Sequence, residues 1–247
     1  MALHYSDNFN AATIGSGLGD NYLTGVSYTG SGAGDAVLGY GNTGAAIYNL
    51  QGVYARTVTS IAAGTGIVVG MRVKVDSGTG DQLGFQLENA SAIHITLYVD
   101  RTNRRFKVYK GTSGGTLLFT GPSAAFEFAT WFYLELKVEV HDTLGYVEVR
   151  VDTVPQGTIL AEGDTKNHAD GAVTSIGFQF PNCYIDDFYC LDDTGDAPLN
   201  DFLGDEESEG SENGVNVEFS EPVGVRTRFT MSYNGRAGIV AQNLYPR

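Results

Sequence analysis

Basic residues are scarce in this sequence, where 15 lysines and arginines face 29 aspartates and glutamates, for a formal net charge of −14. A nucleic-acid-binding protein needs a positively charged surface to neutralise phosphates, so this charge balance argues against DNA or RNA as a partner. Charged residues make up 18 % of the chain and apolar residues 42 %. That apolar fraction is normal for a globular protein and excludes a wholly disordered chain.

Cysteine and long apolar runs are also rare. Cys183 and Cys190 are seven positions apart in a predicted strand, and an odd separation places two side chains on opposite faces. We therefore expect two free thiols and no disulfide scaffold. No apolar run approaches the ~18 residues of a membrane-spanning helix, so no membrane contact is expected. The first seven residues lack the basic and apolar segments of a secretion signal, which predicts a chain made and folded in a cytoplasm.

Glycine, in contrast, is abundant, with 33 residues. Each glycine inside a helix costs about 1 kcal/mol, which argues against a long helical bundle. Apolar and polar residues alternate along most of the chain, which is typical of half-buried strands. The clearest example is residues 130–151, where two alternating runs flank a turn at 142–145 and predict a β-hairpin. Further predicted strands point these residues inward: Val69, Met71, Val73 and Val75; Leu83, Phe85 and Leu87; Ile93, Ile95, Leu97 and Val99; Phe106 and Val108. Short strands without intervening helices predict an all-β protein, an antiparallel sandwich or barrel.

Acidic residues are concentrated in one stretch. Residues 184–212 contain 11 acids and no lysine or arginine, whereas residues 213–247 contain four arginines and two glutamates. We therefore divide the chain into a sandwich over residues 1–192, an acidic linker or arm over 193–212, and a β-rich extension over 213–247. The extension has too few strands to bury its own apolar residues, so it is predicted to dock on the sandwich or to join subunits into a homo-oligomer.

Asp192, Asp193 and Asp196 lie around a glycine, in a turn that could gather carboxylate oxygens around a calcium ion. The stretch lacks the spacing and the bidentate glutamate of an EF-hand loop, so an ordinary acidic turn is the alternative. Asp186 and Asp187 are expected to point to opposite faces of a strand and not to converge on one ion. The four histidines show neither metal-ligand spacing nor a Ser-His-Asp pattern, and we expect no catalytic set and no cofactor.

Several segments resemble known proteins. Residues 5–10 (YSDNFN), 130–138 (TWFYLELKV) and 145–152 (GYVEVRVD) resemble strands of concanavalin A-like, laminin-G-like sandwiches. Residues 185–195 (IDDFYCLDDTG), followed by residues 200–205 (NDFLGD), resemble a compound motif of tailed-bacteriophage virion proteins with the same sandwich. In those phage proteins a basic or mixed strand follows, whereas here the chain becomes acidic, so the C-terminal extension departs from their pattern.

The resemblance implies an antiparallel two-sheet jelly-roll sandwich of the concanavalin A-like type. It also implies a virion structural protein, made in the cytoplasm of a bacterial host. Capsid decoration is the expected role and a tail-associated position its close variant, with the major capsid or tail proteins as partners. The alternative is a lectin-like module that binds host glycans through its aromatic residues, although the lone Trp131 is expected in the core. The residues expected to contact a partner lie at or beyond the NDFLGD motif: Phe202, Leu203, Arg226, Arg228, Phe229, Arg236, Leu244 and Tyr245.

A third class, glycoside hydrolase, is not expected. Glu135 and Glu139 share one strand face, about 13 Å apart along the strand, whereas a retaining glycosidase holds its two carboxyl groups about 5 Å apart. In the laminarinase-type glucanases, which this sandwich resembles, an aspartate stands between two such glutamates, and Lys137 occupies that position here. A lysine would keep both carboxylates ionised, which opposes the work of a general acid. We therefore expect a solvated hairpin face and no enzyme activity.

Overall fold

The computed structural model describes residues 60–90, 92–194 and 201–203 in full, and the backbone alone of strand residues 3–7, 26–29, 35–38, 45–49, 54–59, 216–220 and 226–230. The described part of the chain forms strands and turns and no helix, as the glycine content and the alternating pattern predict. Accordingly, these residues contain no helical segment that could span a bilayer.

The strands, in chain order, are β1 (Leu3–Asp7), β2 (Val26–Thr29), β3 (Asp35–Leu38), β4 (Ala45–Asn49), β5 (Tyr54–Ile61), β6 (Gly66–Val75), β7 (Asp81–Asn89), β8 (Ala92–Asp100), β9 (Arg105–Lys110), β10 (Thr116–Thr120), β11 (Trp131–Glu139), β12 (Gly145–Val151), β13 (Val154–Pro155), β14 (Leu160–Gly163), β15 (Val173–Phe178), β16 (Cys183–Asp192), β17 (Asn216–Ser220) and β18 (Arg226–Thr230). The predicted hairpin is present as β11 and β12, with Leu136 opposite Val149 and Val138 opposite Val147.

Two antiparallel sheets form the sandwich, so the predicted fold class is confirmed. A nine-stranded sheet has the order β13-β12-β11-β6-β16-β4-β3, with β1 paired to β16 and β14 paired to β12. A seven-stranded sheet has the order β10-β9-β8-β7-β15-β5-β2. The strands β17 and β18 form a separate two-stranded sheet.

One apolar core lies between the two sheets and contains the predicted inward rows, including Met71, Phe85, Leu97 and Leu136. Leu83 and Ile93 differ from the prediction, since both are partly exposed. The pairing of β7 with β8 shifts register beside each of them, and a register shift interrupts the strict alternation of faces on which the prediction rested.

A β-bulge in β16 changes the faces of the residues that follow it. The register with β6 shifts between Asp186 and Tyr189, and Asp187 has a φ of +47°. As a result Cys183 and Cys190 both lie in the core rather than on opposite faces. Both thiols are free, as predicted, although the geometric reason for the prediction was wrong. Burial raises the pKa of each thiol, so neither is a reactive thiolate at neutral pH.

Candidate functional site

The outer face of the nine-stranded sheet carries aromatic and charged residues on its central strands β11, β6 and β16. We divide this face into an open half and a covered half. The open half is one lateral row, Trp131, Lys74 and Tyr184, here named the aromatic–lysine row. The covered half begins two positions further along each strand and lies beneath residues 201–203, here named the strap.

The aromatic–lysine row is a partly exposed cluster of two rings and one ammonium group. Tyr184 is opposite Lys74 in the register, and Lys74 is opposite Trp131. Lys74 Nζ lies 3.8 Å from the centroid of the Tyr184 ring and 5.1 Å from that of Trp131. The two rings are 6.3 Å apart in an edge-on arrangement of 66°. Burial, together with the negative charge of Asp76, raises the pKa of Tyr184, so its hydroxyl stays neutral at physiological pH.

Such a row can bind a polar ligand that also has an apolar side. Tryptophan and tyrosine combine a flat apolar ring with a hydrogen-bonding group, and the lysine between them adds up to three donors. A sugar ring has this mixed character, since one face of C–H groups stacks on an aromatic ring while the hydroxyl groups at its edge accept hydrogen bonds.

The sequence interpretation placed Trp131 in the core, and the structure corrects this. Its neighbour Phe132 points inward and is 4 % exposed, so Trp131 belongs to the outward series that continues with Tyr133 and Glu135. The signal was present in the predicted hairpin, because the alternation that turned Leu134 inward also turned Trp131 outward.

The covered half is built around Tyr189, whose ring lies over Gly70. A Cβ atom at position 70 would overlap that ring, so the close approach requires glycine. The Tyr189 ring also stacks on Tyr133, with centroids 6.1 Å apart and an interplanar angle of 15°. Its hydroxyl donates a hydrogen bond to Glu135, a carboxylate that is 0 % exposed.

Arg72 lies in the first row of the covered half, next to the open half, and is paired there with Asp187. Arg72 Nε lies 2.9 Å from Asp187 Oδ2, and its guanidinium group lies 5.7 Å from the centroid of the Tyr133 ring. The Tyr133 hydroxyl donates to the Asp187 carbonyl at 3.2 Å. The bulge therefore brings Asp187 to the same face as Arg72, where the register also places Asp186. The expectation that Asp186 and Asp187 point to opposite faces was wrong.

The strap closes the covered half through three contacts from three consecutive residues. Asp201 forms an ion pair with Lys137 at 2.9 Å, and the ring of Phe202 lies 3.8 Å from the guanidinium carbon of Arg150. The backbone N–H of Leu203 donates to the Tyr189 hydroxyl at 3.2 Å. Phe202 and Leu203 thus pack against their own sheet, and their contact with a partner stays a prediction.

The hairpin face around Lys137 is not the solvated charge row that the sequence predicted. Glu135 is fully buried and Glu148 is 3 % exposed. Arg150 pairs with Glu148 along its own strand at 2.7 Å, and Lys137 pairs with the strap rather than with a glutamate beside it. Glu139, which follows Lys137 on the same face of β11, is partly exposed. The difference arises because the strap excludes water from this face.

The candidate calcium turn is only partly within the described residues. Asp192 is 6 % exposed, and one of its oxygens accepts a hydrogen bond from the backbone N–H of Thr194 at 3.0 Å. Asp193 donates its backbone N–H to the Gly66 carbonyl, and Asp196 lies outside the described part. Across the described residues, no three metal-ligating side chains converge as a metal site would require.

The predicted partner residues of the C-terminal extension are placed only in part. Arg226, Arg228 and Phe229 belong to β18, where the register sets Arg228 opposite Glu218. Arg236, Leu244 and Tyr245 lie outside the described residues. The division into residues 1–192, 193–212 and 213–247 and the role of the extension as an anchor remain predictions.

No protein-family model matches the sequence, and no curated protein matches it. Solved structures resemble the fold at low identity. Domain 4 of AbnA, a GH43 extracellular arabinanase from Geobacillus stearothermophilus solved with arabinotriose, is 16 % identical, and the match covers 76 % of this chain and 91 % of that domain with a TM-score of 0.50. The CBM2 module of the evolved Dit from Lactobacillus casei BL23 phage J-1 is 11 % identical over 76 % of this chain and 94 % of the module, with a TM-score of 0.47.

A sialidase from Trypanosoma rangeli, solved with 2,3-difluorosialic acid, is 15 % identical over 59 % of this chain, with a TM-score of 0.40. This chain spans 24 % of the length of that enzyme. At these identities a likeness concerns the fold alone, and the arabinanase domain agrees with the sandwich that the strand pairing defines.

Proposed function

We propose that this chain is a glycan-binding sandwich without catalytic activity that serves in a tailed-bacteriophage virion. The observation that carries the glycan-binding part is the aromatic–lysine row, two partly exposed rings with a lysine between them on an outer sheet face. The arabinanase domain with the same fold was solved with arabinotriose, which gives a precedent for a sugar chain on such a sandwich.

A glycan array with the full chain tests this part. Trp131→Ala and Tyr184→Ala are expected to weaken binding at least tenfold, about 1.4 kcal/mol, because each removes an aromatic surface from the row. The matched control is Tyr98→Ala, since Tyr98 and Tyr109 form a similar edge-on pair, 5.7 Å apart, on the outer face of the other sheet. Binding that depends on Tyr98 instead of Trp131 would place the site on the wrong sheet and contradict the proposal.

The virion part rests on the resemblance of the IDDFYCLDDTG and NDFLGD segments to tailed-bacteriophage virion proteins. In this fold the two segments contact each other. The second segment supplies the strap, and Tyr189, which receives it, belongs to the first segment. Capsid decoration is the role we propose, with a tail position as the alternative and the C-terminal extension as the anchor. The test compares the full chain with a chain ending at Asp205 for attachment to purified particles, with circular dichroism to check folding. A folded, shortened chain that still attaches would contradict the anchor.

The lack of catalysis is supported by the position of Glu135. This carboxylate is buried beneath Tyr189 and the strap, so it cannot reach a glycosidic bond on the surface. Lys137, between Glu135 and Glu139, is engaged with Asp201. The test is hydrolysis of β-glucans by the wild-type chain and by Glu135→Gln. Turnover that Glu135→Gln abolishes would overturn this part of the proposal.

A further inference from the structure

Lys74 differs from the other four lysines of this chain in the partner of its ammonium group. Each of the other four forms an ion pair with an aspartate: Lys107 with Asp81 and Asp100, Lys110 with Asp164, Lys137 with Asp201, and Lys166 with Asp142. The contacts of Lys74 within the described residues are the rings of Tyr184 and Trp131. A cation above ring faces is attracted to them electrostatically, but none of the described residues offers an acceptor to its N–H groups.

The ammonium group of Lys74 is therefore held above two rings and forms no ion pair with any described residue. Its net effect on a ligand depends on distance, because the remaining charge of the chain is negative. At about 0.1 M salt, charges on the surface are largely screened beyond about 10 Å. Among the described residues, Asp76 acts on the Tyr184 hydroxyl of this row, while in the next row Asp186 lies opposite Arg72 and Asp187 is paired with it. A ligand atom that contacts Lys74 Nζ thus meets a positive charge whose contacts, as far as the structure describes them, are the Tyr184 and Trp131 rings.

From this arrangement we infer that the aromatic–lysine row binds an acidic sugar, one that carries a carboxylate or a phosphate group. The inference rests on the proposed function and adds the chemical class of the ligand. The sugar ring stacks on the exposed part of Trp131, and the anionic group at its edge accepts hydrogen bonds from Lys74 Nζ. A charged acceptor makes a shorter and stronger hydrogen bond with an ammonium group than a neutral hydroxyl does, which gives the preference for the acidic form.

The experiment presents matched sugars on one array to the full-length chain. Glucose, galactose and mannose are each displayed on the same linker in the neutral form, as the uronic acid and as the 6-phosphate. The expected result is at least tenfold tighter binding of an acidic form than of its neutral counterpart in at least one series. Comparison of the uronic acid with the 6-phosphate then shows which anion the site prefers.

Three variants show whether Lys74 causes that preference. Lys74→Met is expected to remove the preference, so that the acidic and neutral forms of each sugar bind equally, and Lys74→Arg is expected to retain it. Lys137→Met is the matched control, because Lys137 lies on the same sheet face but is paired with Asp201. Melting temperatures establish that all three variants are folded.

The outcomes separate this inference from the proposed function. Equal binding of neutral and acidic sugars, or a preference that survives in Lys74→Met, overturns the acidic-sugar inference and leaves glycan binding standing. If no sugar on the array or on the broader glycan array binds the wild-type chain, the proposed glycan-binding function fails, and this inference fails with it.

Discussion

The two halves of the outer sheet face are built from the same three strands but have different roles. In the covered half, Glu135, Gly70 and Tyr189 are opposite one another and are sealed by the strap. In the open half, Trp131, Lys74 and Tyr184 have the same relation across the strands and are partly exposed. In the covered half Tyr189 donates to Glu135 and Leu203 donates to Tyr189, so we assign that half to the stability of the fold. The open half keeps rings and donors accessible, so we assign it to binding.

The largest loss of stability among the variants that test this comparison is expected from Gly70→Ala. The added methyl group overlaps the Tyr189 ring, and displacement of that ring disrupts the whole covered half. We expect a loss of about 3 kcal/mol in the free energy of unfolding, measured by denaturant titration. Gly114→Ala is the control, because a Cβ at position 114 meets nothing within 4 Å. Equal stability of the two variants would show that Tyr189 is not tightly held.

Tyr189→Phe is expected to cost about 2 kcal/mol at neutral pH, because a buried carboxylate loses a hydrogen-bond donor. It should also change the alkaline behaviour. Burial, with Tyr133 and Glu135 nearby, raises the pKa of Tyr189 well above 10.0, so the phenol stays neutral in the folded state while it ionises in the unfolded chain. The contribution of this raised pKa to the free energy of unfolding is therefore complete below about pH 10 and is lost as the pH rises further.

Unfolding titrations at pH values from 8 to 11 check this prediction. The wild-type chain should lose stability above about pH 10 more steeply than Tyr189→Phe does. Tyr98→Phe, on the other sheet, is the control and should follow the wild-type slope. Identical slopes for all three chains would show that Tyr189 does not carry the effect.

Phe202→Ala tests the strap itself and should have a moderate effect. The ring is half-buried and lies over Arg150, so its removal should cost about 1 to 2 kcal/mol. The control is Leu144→Ala, since Leu144 is 55 % exposed and should change stability little. Glycan binding by Phe202→Ala should equal that of the wild-type chain, because the strap packs on the covered half. Lost binding with retained stability would show that the two halves are coupled.

Trp131→Ala should have the smallest effect on stability, about 1 kcal/mol or less, because this side chain is only partly buried. Its effect on glycan binding should be the largest of the four variants. Thermal unfolding and the glycan array together measure this contrast. A large loss of stability without a loss of binding would make Trp131 a structural residue and reverse the assignment of the open half.

The sequence predicted much of the sandwich because its central strands follow a simple alternation. In β11 and β12, the inward valines and leucines and the turn between them appear in the structure where they were expected. The same alternation contained the outward position of Trp131, but a single tryptophan in an apolar strand also fits a core position. The partner of that tryptophan could not be predicted, because Tyr184 is 53 positions away and reaches it only through the pairing of β16, β6 and β11.

Two features could not be predicted from the sequence and were found only in the tertiary structure. The first is the bulge at Asp187, which has the positive φ that left-handed backbone requires and which reverses the faces of the residues after it. The second is the strap, whose Phe202 and Leu203 were predicted to contact a partner and are found against their own sheet. Neither a local pattern nor a spacing marks the surface on which a short segment will dock.

The amino-acid sequence was sufficient to predict an all-β sandwich, since period-two alternation and glycine content act locally along the chain. The tertiary structure alone decided which outward residues are buried and which are exposed. Glu135 and Trp131 lie on the same face of one strand, yet the strap excludes water from the first and leaves the second partly exposed. Burial of an outward residue depends on contacts between distant segments, and those contacts exist only once the chain has folded.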